Sequence, residues 1–195
     1  MRLKLDSYMI MLCMAAASRS TCARRQVGSI ITNRSGLILS TGYNGVPHDF
    51  EHCIDSPCPG SDMPSGTGLD KCKAIHAEAN AIIHCRDLND ADVLYCTDSP
   101  CIHCIKLVLA TPIRKIVYLR EYPHKEAIDL WREGDGEITR IEDTAQLRAI
   151  AHVSATITVE ATRVATELVE REDSVYRHGD KGPELNGNGP RIPTG

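Results

Sequence analysis

The sequence has no long hydrophobic run and no excess of basic charge. None of its apolar runs approaches the roughly 18 residues that a membrane-spanning helix needs, so we predict no membrane segment. The 195 residues carry a formal net charge of −4, and the isoelectric point is about 6.1. Sequence-independent binding to nucleic acid needs a basic surface that displaces counterions, so we predict no nucleic-acid partner. A small anionic ligand held by one or two arginines remains compatible with this balance.

The N-terminal segment has only part of the pattern of a signal peptide. Residues 1–22 combine a basic start with an apolar middle, but Asp6 interrupts the basic region. The same residues fit an amphipathic helix that is capped by Asp6. We therefore predict a helix at this end and a cytoplasmic protein, and secretion is the alternative.

Cysteine is abundant and odd in number. Where disulfides are disfavoured, clustered cysteines more often bind a metal ion than pair with one another. The nine cysteines are Cys13, Cys22, Cys53, Cys58, Cys72, Cys85, Cys96, Cys101 and Cys104.

Alternating and helical patterns of apolar residues predict a single α/β architecture. The predicted strands cover 27–33, 36–44, 92–98, 113–119 and 137–142, and the helices after the first cover 74–88, 100–111 and 124–134. The order β-β-α-β-α-β-α-β after an initial helix predicts a three-layer α/β/α sandwich around a five-stranded mixed sheet.

We predict one domain over residues 1–142 and an extension over 143–195. Within the domain, residues 45–73 form an insertion rich in Pro, Gly, Asp and Ser that contains three cysteines. Unsupported loops of this length are uncommon in compact domains, so the cysteines suggest how the insertion is held. The extension is predicted to be helical over 143–172, although ATITVEA alternates like a strand, and flexible over 178–195.

Two short motifs contain the elements of a metal site. HAEAN (76–80) places His76 in the first turn of a helix, and PCIHC (100–104) places Cys101 and Cys104 in the first turn of another. Helix N-termini stabilise thiolates, and cysteines three residues apart face the same side. Parallel strands that bring both helix N-termini to one edge would unite the three ligands. Three protein ligands leave the fourth tetrahedral position for water, as in catalytic zinc sites.

Glu78 completes this pattern, because a carboxylate two residues from a ligand can move protons beside the metal without binding it. H-x-E…P-C-x-x-C is the established signature of zinc deaminases, and the sequence matches it in full. The alternative is a purely structural zinc ribbon or finger with a fourth ligand, which would make the chain a zinc-stapled binding module. That alternative gives Glu78 no purpose, and a nucleic-acid-binding form of it predicts a basic face.

The chain resembles the deoxycytidylate (dCMP) deaminases of bacterial and phage type, within the cytidine deaminase superfamily. The resemblance covers about residues 5–142, making this the zinc-dependent deaminase domain. It rests on RSTCARRQVGSII (19–31), STGYNGVP (40–47), HC (52–53), IHAEANAI (75–82), SPCIHC (99–104) and VYLREY (117–122). The GYNG sequence, the long cysteine-bearing insertion and Tyr122 favour this branch over transfer-RNA adenosine deaminases and riboflavin-pathway deaminases.

The resemblance implies hydrolysis of dCMP to dUMP with release of ammonia, which supplies thymidylate synthesis. Attack would occur at C4 of the cytosine ring, and Glu78 would protonate N3 and then the leaving amine. The resemblance implies that Asn44 contacts the deoxyribose and that Arg24 and Tyr122 contact the 5′-phosphate. The alternative for Arg24 is that it is a surface residue. Further predicted substrate contacts, beside the motif residues, are Ala77 and Ser99.

Relatives of this type are commonly hexamers that dCTP activates and dTTP inhibits. The effector site at the subunit interface includes the GYNG turn, so the resemblance implies effector contacts at Gly42, Tyr43 and Gly45. Plain turn chemistry, in which glycine permits positive φ, is a compatible alternative for the glycines. The chain departs from many relatives at Arg120, where an acidic residue is usual. An extra cation near Tyr122 would make dCTP an alternative substrate, alone or beside dCMP.

A second, structural zinc ion is the last prediction from the cysteines. Some relatives bind such an ion with cysteines at the positions of Cys22 and Cys53. Four thiolates without an open position would order a loop rich in Pro and Gly. We predict the ligands Cys22, Cys53, Cys58 and Cys72; His48 or His52 could replace one of them, and reduced, partly buried thiols are the alternative.

Overall fold

The computed structural model describes residues 2–64 and 66–178 of the chain. The helices are α1 (Leu5–Ala17), α2 (Ala77–Ile83), α3 (Ile102–Leu109), α4 (Lys125–Glu133) and α5 (Thr144–His178). The strands are β1 (Gly28–Asn33), β2 (Ile38–Tyr43), β3 (Ala91–Asp98), β4 (Lys115–Arg120) and β5 (Glu137–Arg140). Of the segment predicted to be flexible, 178–195, His178 is the last residue of α5 and residues 179–195 lie outside the described residues.

One sheet contains all five of these strands, in the order β2-β1-β3-β4-β5. Strand β1 runs antiparallel to both of its neighbours, β2 and β3, whereas β3, β4 and β5 run parallel to one another. The prediction of a five-stranded mixed sheet is therefore confirmed. Because β3 and β4 are parallel, the segments that follow both strands leave the sheet at the same edge.

Alternation along the central strands gives the sheet two buried faces. Ile31, Leu94 and Ile116 belong to one core cluster, together with residues of α2, α3 and α4. Their neighbours Ile30, Tyr95 and Val117 belong to a second cluster, together with residues of α1 and the first turns of α5. Successive side chains of a strand point to opposite faces, so these adjacent pairs build the three-layer sandwich.

Two helices lie directly against glycines of the first hairpin. A Cβ atom on Gly28 would lie 1.9 Å from the carbonyl oxygen of Cys13 in α1. A Cβ atom on Gly42 would lie 2.1 Å from the carbonyl oxygen of Ala77 in α2. Neither distance is compatible with a side chain, so the absence of a Cβ atom allows both helices to pack on the hairpin.

The beginning of α1 differs from the prediction. Lys4 is the residue before the helix and Asp6 lies within its first turn, so Asp6 is not the cap. The Asp6 carboxylate instead accepts a hydrogen bond from the Tyr95 hydroxyl at 2.9 Å and lies 3.7 Å from the Lys115 ammonium. The sequence pattern of a capping residue was misleading because Asp6 has partners in β3 and β4.

The helix predicted over 74–88 is shorter in the structure and ends at Ile83. His84 leaves helical geometry with φ −90° and ψ 0°, and a 3₁₀ turn over Leu88–Asp90 leads the chain into β3. The apolar stripe continues past the helix because Leu88 still packs against the core from this turn.

The chain divides into two compact units, Met1–Val153 and Ser154–Gly195, whereas the domain boundary at 142/143 stays a prediction. The first unit contains the sheet and the beginning of α5, where Ala149 and Ile150 are buried. Among the described residues, the second unit continues α5 and includes ATITVEA, so its alternating pattern does not form a strand. Within 2–64 and 66–178, no helix has the length and apolar character needed to cross a membrane.

Candidate active site

His76, Cys101 and Cys104 meet at the edge of the sheet. His76 and Cys101 are the residues immediately before α2 and α3, and Cys104 lies in the first turn of α3. The Nδ1 atom of His76 lies 3.4 Å from each of the two sulfurs. The three ligand atoms lie within 4.8 Å of one another, and no other group of three or more His, Cys, Asp or Glu in the described parts of the chain is as close.

These distances fit a tetrahedral zinc ion. Bonds of about 2.3 Å to sulfur and about 2.0 Å to nitrogen separate neighbouring nitrogen and sulfur ligands by about 3.5 Å in a tetrahedron. The observed separation of 3.4 Å between His76 and each cysteine is close to that value. The donor set of one imidazole and two thiolates is also one that zinc prefers.

In the absence of a metal, two of the three ligand side chains, Cys101 and His76, favour their charged forms. The pKa of Cys101 falls to about 3, because the Cys104 thiol donates to its sulfur and the His76 imidazole lies beside it. The pKa of His76 rises to about 9, because its ring bonds to Cys101, although burial opposes the shift. The pKa of Cys104 lies well above its ordinary value, because its proton is held by Cys101 and it is buried. Cys101 is therefore the ligand that ionises most readily, and zinc binding would displace the protons held by Cys104 and His76.

Glu78 is a buried carboxyl group next to this cluster. Its residue is 4% exposed, and it lies in the first turn of α2, two positions after His76. Burial raises its pKa above the ordinary value, whereas the nearby His76 acts in the opposite direction. A carboxyl group whose pKa is raised by desolvation holds a proton more readily, which favours a role as general acid and base.

A cavity of about 450 Å³ opens onto Glu78 and the metal ligands. Its size suits a ligand of the dimensions of a nucleotide. The residues that line it include His76, Glu78, Cys101, Asn44, Ser99 and Tyr122.

Asn44, which lines the cavity, is hydrogen-bonded to Ala77, a fully buried residue that is not among the described residues lining it. The side-chain oxygen of Asn44 accepts a hydrogen bond from the backbone N–H of Ala77 at 3.1 Å. The side-chain nitrogen of Asn44 donates to the carbonyl oxygen of Arg25 at 3.2 Å. The Asn44 amide therefore holds the N-terminus of α2, in addition to lining the space where a ligand would bind.

Ser99 and Tyr122 form the opposite part of the wall. The Ser99 hydroxyl oxygen accepts a hydrogen bond from the backbone N–H of Tyr122 at 2.8 Å. The Tyr122 hydroxyl oxygen accepts one from the backbone N–H of Gly66 at 3.1 Å. Tyr122 thus links the segment after β4 to the insertion.

Arg24 and Arg25 both line the cavity but have different partners. The Arg24 guanidinium donates to three backbone carbonyls of the insertion, those of Gly60, Pro64 and Thr67. Arg25 is half-buried and lies 4.8 Å above the centroid of the Tyr122 ring. It also lies 3.5 Å from the buried carboxylate of Asp98. Asp98 was not identified from the sequence, although a charged residue at the end of an apolar strand was a signal for it.

The four cysteines of the predicted second zinc site contact one another in the order Cys22, Cys72, Cys58, Cys53. The sulfurs of Cys53 and Cys58 are 3.6 Å apart. The thiols of Cys22 and Cys72 form a hydrogen bond, and Cys72 is also hydrogen-bonded to Cys58. The pKa of Cys22 falls to about 5, because the Cys72 thiol donates to its sulfur. Each thiol thus contacts only the next one in this row. A tetrahedral zinc site needs every pair of its four sulfurs to be about 3.8 Å apart.

Neither glycine of the GYNG turn, Gly42 or Gly45, has a positive φ angle. The glycines with positive φ in the described residues are Gly36, Gly66 and Gly68, so the turn interpretation of Gly42 and Gly45 is wrong. Gly42 is required by the close approach of α2. Gly45 pairs with Ile75 through two backbone hydrogen bonds, of 3.2 and 2.8 Å. The turn is thereby attached to the residue that precedes His76.

Three ligands of a zinc type, a buried carboxyl group and an adjacent cavity on a mixed α/β sheet define an enzyme-like metal centre. A family model described as the cytidine and deoxycytidylate deaminase zinc-binding region matches residues 3–120. The chain belongs to this family of zinc-dependent deaminases.

Individual relatives support the same assignment. The deoxycytidylate deaminase of Saccharomyces cerevisiae is 37% identical over 124 residues, which cover 63% of this chain and 39% of that protein. The deoxycytidylate deaminase of Mycobacterium phage D29 is 39% identical over 125 residues, which cover 60% of this chain and 94% of that protein. The matched region therefore spans well under half of the yeast relative and nearly all of the phage relative.

A solved structure has the same fold. It is the crystal structure of dCMP deaminase from the cyanophage S-TIM5 in complex with dCMP and dUMP. The two folds superpose with a TM-score of 0.56 at 25% sequence identity, over 72% of this chain and 99% of that chain. This likeness confirms the predicted α/β class.

Proposed function

We propose that the protein hydrolyses dCMP to dUMP and ammonia. The observation that carries this proposal is the buried Glu78 beside three zinc-type ligands at the base of a cavity with two arginines in its wall. The names of the yeast and phage relatives support it, and so does the cyanophage enzyme that was crystallised with dCMP and dUMP.

The reaction adds water across the bond between C4 and N3 of the cytosine ring and then breaks the bond between C4 and the exocyclic nitrogen. A zinc ion on His76, Cys101 and Cys104 would activate the attacking water. As the new C–O bond forms, Glu78 takes one proton from the water and passes it to N3; it then takes the second proton from the hydroxyl group on C4 and passes it to the departing amine. Oxygen replaces nitrogen on C4, and ammonia leaves. The raised pKa of Glu78 supports this role, because the protonated form must be accessible near neutral pH.

The substrate contacts are part of the same proposal. Asn44 contacts the deoxyribose, Arg24 and Tyr122 lie toward the 5′-phosphate, and Ala77 and Ser99 contact the base. Asn44, Ser99 and Tyr122 are buried and line the cavity. The carbonyl partners of Arg24 favour a role in holding the insertion, so its contact to phosphate would be made beside them.

We also propose the second, structural zinc on Cys22, Cys53, Cys58 and Cys72. The 3.6 Å separation of the Cys53 and Cys58 sulfurs is close to that of two zinc ligands. The lowered pKa values of Cys22 and Cys58 support thiolate formation; for Cys58, backbone N–H groups of Lys73 and Gly60 outweigh the effect of burial.

Regulation by dCTP as activator and dTTP as inhibitor is proposed at Gly42, Tyr43 and Gly45. The carbonyl oxygen of Tyr43 accepts a hydrogen bond from the Asn80 side chain in α2 at 2.8 Å. Gly45 pairs with Ile75, next to His76. A ligand at this turn would therefore shift the helix that contains Glu78, which supports coupling between the two places.

Assembly and location complete the proposal. We propose a homo-oligomer, a hexamer, that works in the cytoplasm and supplies thymidylate synthesis. All nine cysteines are free thiols, which supports a reducing compartment. Sedimentation velocity with and without nucleotide measures the assembly.

The alternative substrate dCTP receives less support from the position of Arg120. Its guanidinium bonds to Asp98 at 2.7 Å, and Arg120 is not among the described residues that line the cavity. The alternative of a zinc-stapled binding module leaves the buried Glu78 without a role.

The decisive experiment is an ammonia-release assay with dCMP, dCTP, CMP and cytidine, each with and without dCTP or dTTP as effector. We expect dCMP to be the best substrate. Glu78→Gln should lower kcat by about 10²- to 10⁴-fold while zinc content and fold stay unchanged. Turnover of none of these compounds, or normal turnover by the Glu78 variant, would refute the proposed function.

A further inference from the structure

Asp98 is a buried acidic residue that the chemistry above does not use. It is the last residue of β3, and its side chain is 4% exposed in the cavity wall. Its Oδ2 atom accepts hydrogen bonds from the Thr97 hydroxyl at 2.9 Å and from Arg120 Nη2 at 2.7 Å. Burial of a carboxylate is costly unless donors and cations compensate, so these partners explain how Asp98 is tolerated.

Arg25 is a second cation on the same carboxylate. Its Nη1 atom lies 3.5 Å from Oδ1 of Asp98, and the centre of its guanidinium lies 4.8 Å from the centroid of the Tyr122 ring. An aromatic face on one side and a carboxylate on another restrict the guanidinium to one place. That place is in the cavity that Glu78 and His76 also line.

Arg25 has N–H groups that are not hydrogen-bonded to backbone carbonyls, unlike those of its neighbour Arg24. Arg24 donates to the carbonyls of Gly60, Pro64 and Thr67. In contrast, Nη1 of Arg25 is buried and has no hydrogen-bond partner among the described residues. Its neighbour at 3.5 Å is Oδ1 of Asp98, which also lacks a hydrogen bond, so the two atoms form an ion pair. The other N–H groups of the guanidinium, in a side chain that is 33% exposed, remain for an acceptor that enters the cavity.

The charge balance identifies the chemical class of that acceptor. Arg25 and Arg120 share the one carboxylate of Asp98, so the three side chains together carry one net positive charge. Guanidinium groups bind phosphate through paired N–H donors. An anionic phosphate oxygen therefore meets both the remaining N–H donors and the excess charge.

We propose that Asp98 is a positioning residue that holds Arg25 against Tyr122, and that Arg25 in this position binds the 5′-phosphate of the substrate. Arg25 then sets the preference for a nucleotide over a nucleoside. The inference rests on the proposed function, because it assigns the phosphate contact of dCMP at that same site.

Steady-state kinetics on dCMP and on deoxycytidine, which lacks the phosphate, test Arg25. In the zinc-loaded full chain, Arg25→Gln should lower kcat/KM for dCMP by about tenfold to a hundredfold, mainly through KM. Turnover of deoxycytidine should change little. Arg25→Lys should recover part of the loss, because it keeps the charge without the planar donors. Arg34→Gln is the matched control, since its side chain is 89% exposed on the first hairpin.

A double-mutant cycle tests Asp98. Asp98→Asn alone should produce the same selective loss on dCMP, and it should add little in the Arg25→Gln background. A residue that only supports the fold would instead lower kcat on both substrates. Thr97→Val removes one hydrogen bond from Asp98 and provides a milder variant if Asp98→Asn does not fold; we expect a smaller loss with the same selectivity.

The outcomes separate this inference from the proposed function. If the wild-type protein deaminates dCMP and Arg25→Gln leaves the ratio of the two kcat/KM values unchanged, Arg25 does not bind the phosphate and only this inference fails. If the wild-type protein deaminates deoxycytidine or another base but not dCMP, both fail together.

Discussion

The side-chain oxygen of Asn44 accepts a hydrogen bond of 3.1 Å from the backbone N–H of Ala77, the first residue of α2. This bond ties the end of the first hairpin to the helix that contains Glu78 and follows His76. The first N–H groups of a helix have no partner within the helix, so Asn44 satisfies one that would otherwise be buried and unpaired.

Asn44→Ala should therefore reduce stability as well as activity. A buried N–H without an acceptor costs about 1–3 kcal/mol, and we expect the free energy of unfolding of the zinc-loaded protein to fall by about that amount. Denaturant titration measures it. Asn89→Ala, at an exposed position before β3, is the control and should be neutral. Equal stabilities of the two variants would contradict the assigned role.

The metal ligands and Glu78 were accessible from the sequence because each lies in a short motif. Local spacing fixes His76 and Glu78 on one helix and Cys101 and Cys104 on another. The two helix starts meet because β2 and β3 both run antiparallel to β1, so the segments that follow these strands leave the sheet at the same edge. The spacing within each motif is a local property, which a single sequence records.

The arginine arrangement was not accessible in the same way. Arg24 and Arg25 are adjacent in an irregular segment, and neither is placed by a repeating pattern. Their partners, Thr67 for one and Asp98 for the other, lie far along the chain. Only the folded insertion and the end of β3 show which arginine is engaged by carbonyls and which by a carboxylate. The same holds for Asp6, whose partners Tyr95 and Lys115 displace its expected capping role.

Gly42→Ala should destabilise the protein much more than Gly45→Ala. A Cβ atom on Gly42 would lie 2.1 Å from the carbonyl oxygen of Ala77, so α2 would have to move away from β2. Overpacking of this kind costs about 1–3 kcal/mol or more. A Cβ atom on Gly45 would lie 3.3 Å from the ring of Tyr43, which can adjust. Thermal unfolding compares the pair, and a larger shift for Gly45→Ala would contradict the packing argument.

Arg24→Ala should loosen the insertion around residues 60–67. The guanidinium holds three carbonyls there, and loss of those acceptor contacts leaves the segment without its attachment to the residues before β1. We expect faster hydrogen exchange and faster proteolytic cleavage within the segment, with little change in the sheet. Arg34→Ala is the control, because its side chain is exposed. Unchanged exchange at residues 60–67 would show that the insertion is held by other contacts.

Metal analysis should find two zinc ions per chain in fully active protein, and the two should differ in lability. The site of His76, Cys101 and Cys104 has three ligands and should lose its ion first to a chelator, with loss of activity that added zinc restores. Cys53→Ser should abolish only the second ion and lower the thermal stability of the chain. Cys85→Ser, outside both clusters, should retain two. One zinc per chain in a fully active preparation would exclude the structural site and leave Cys22, Cys53, Cys58 and Cys72 as reduced cysteines.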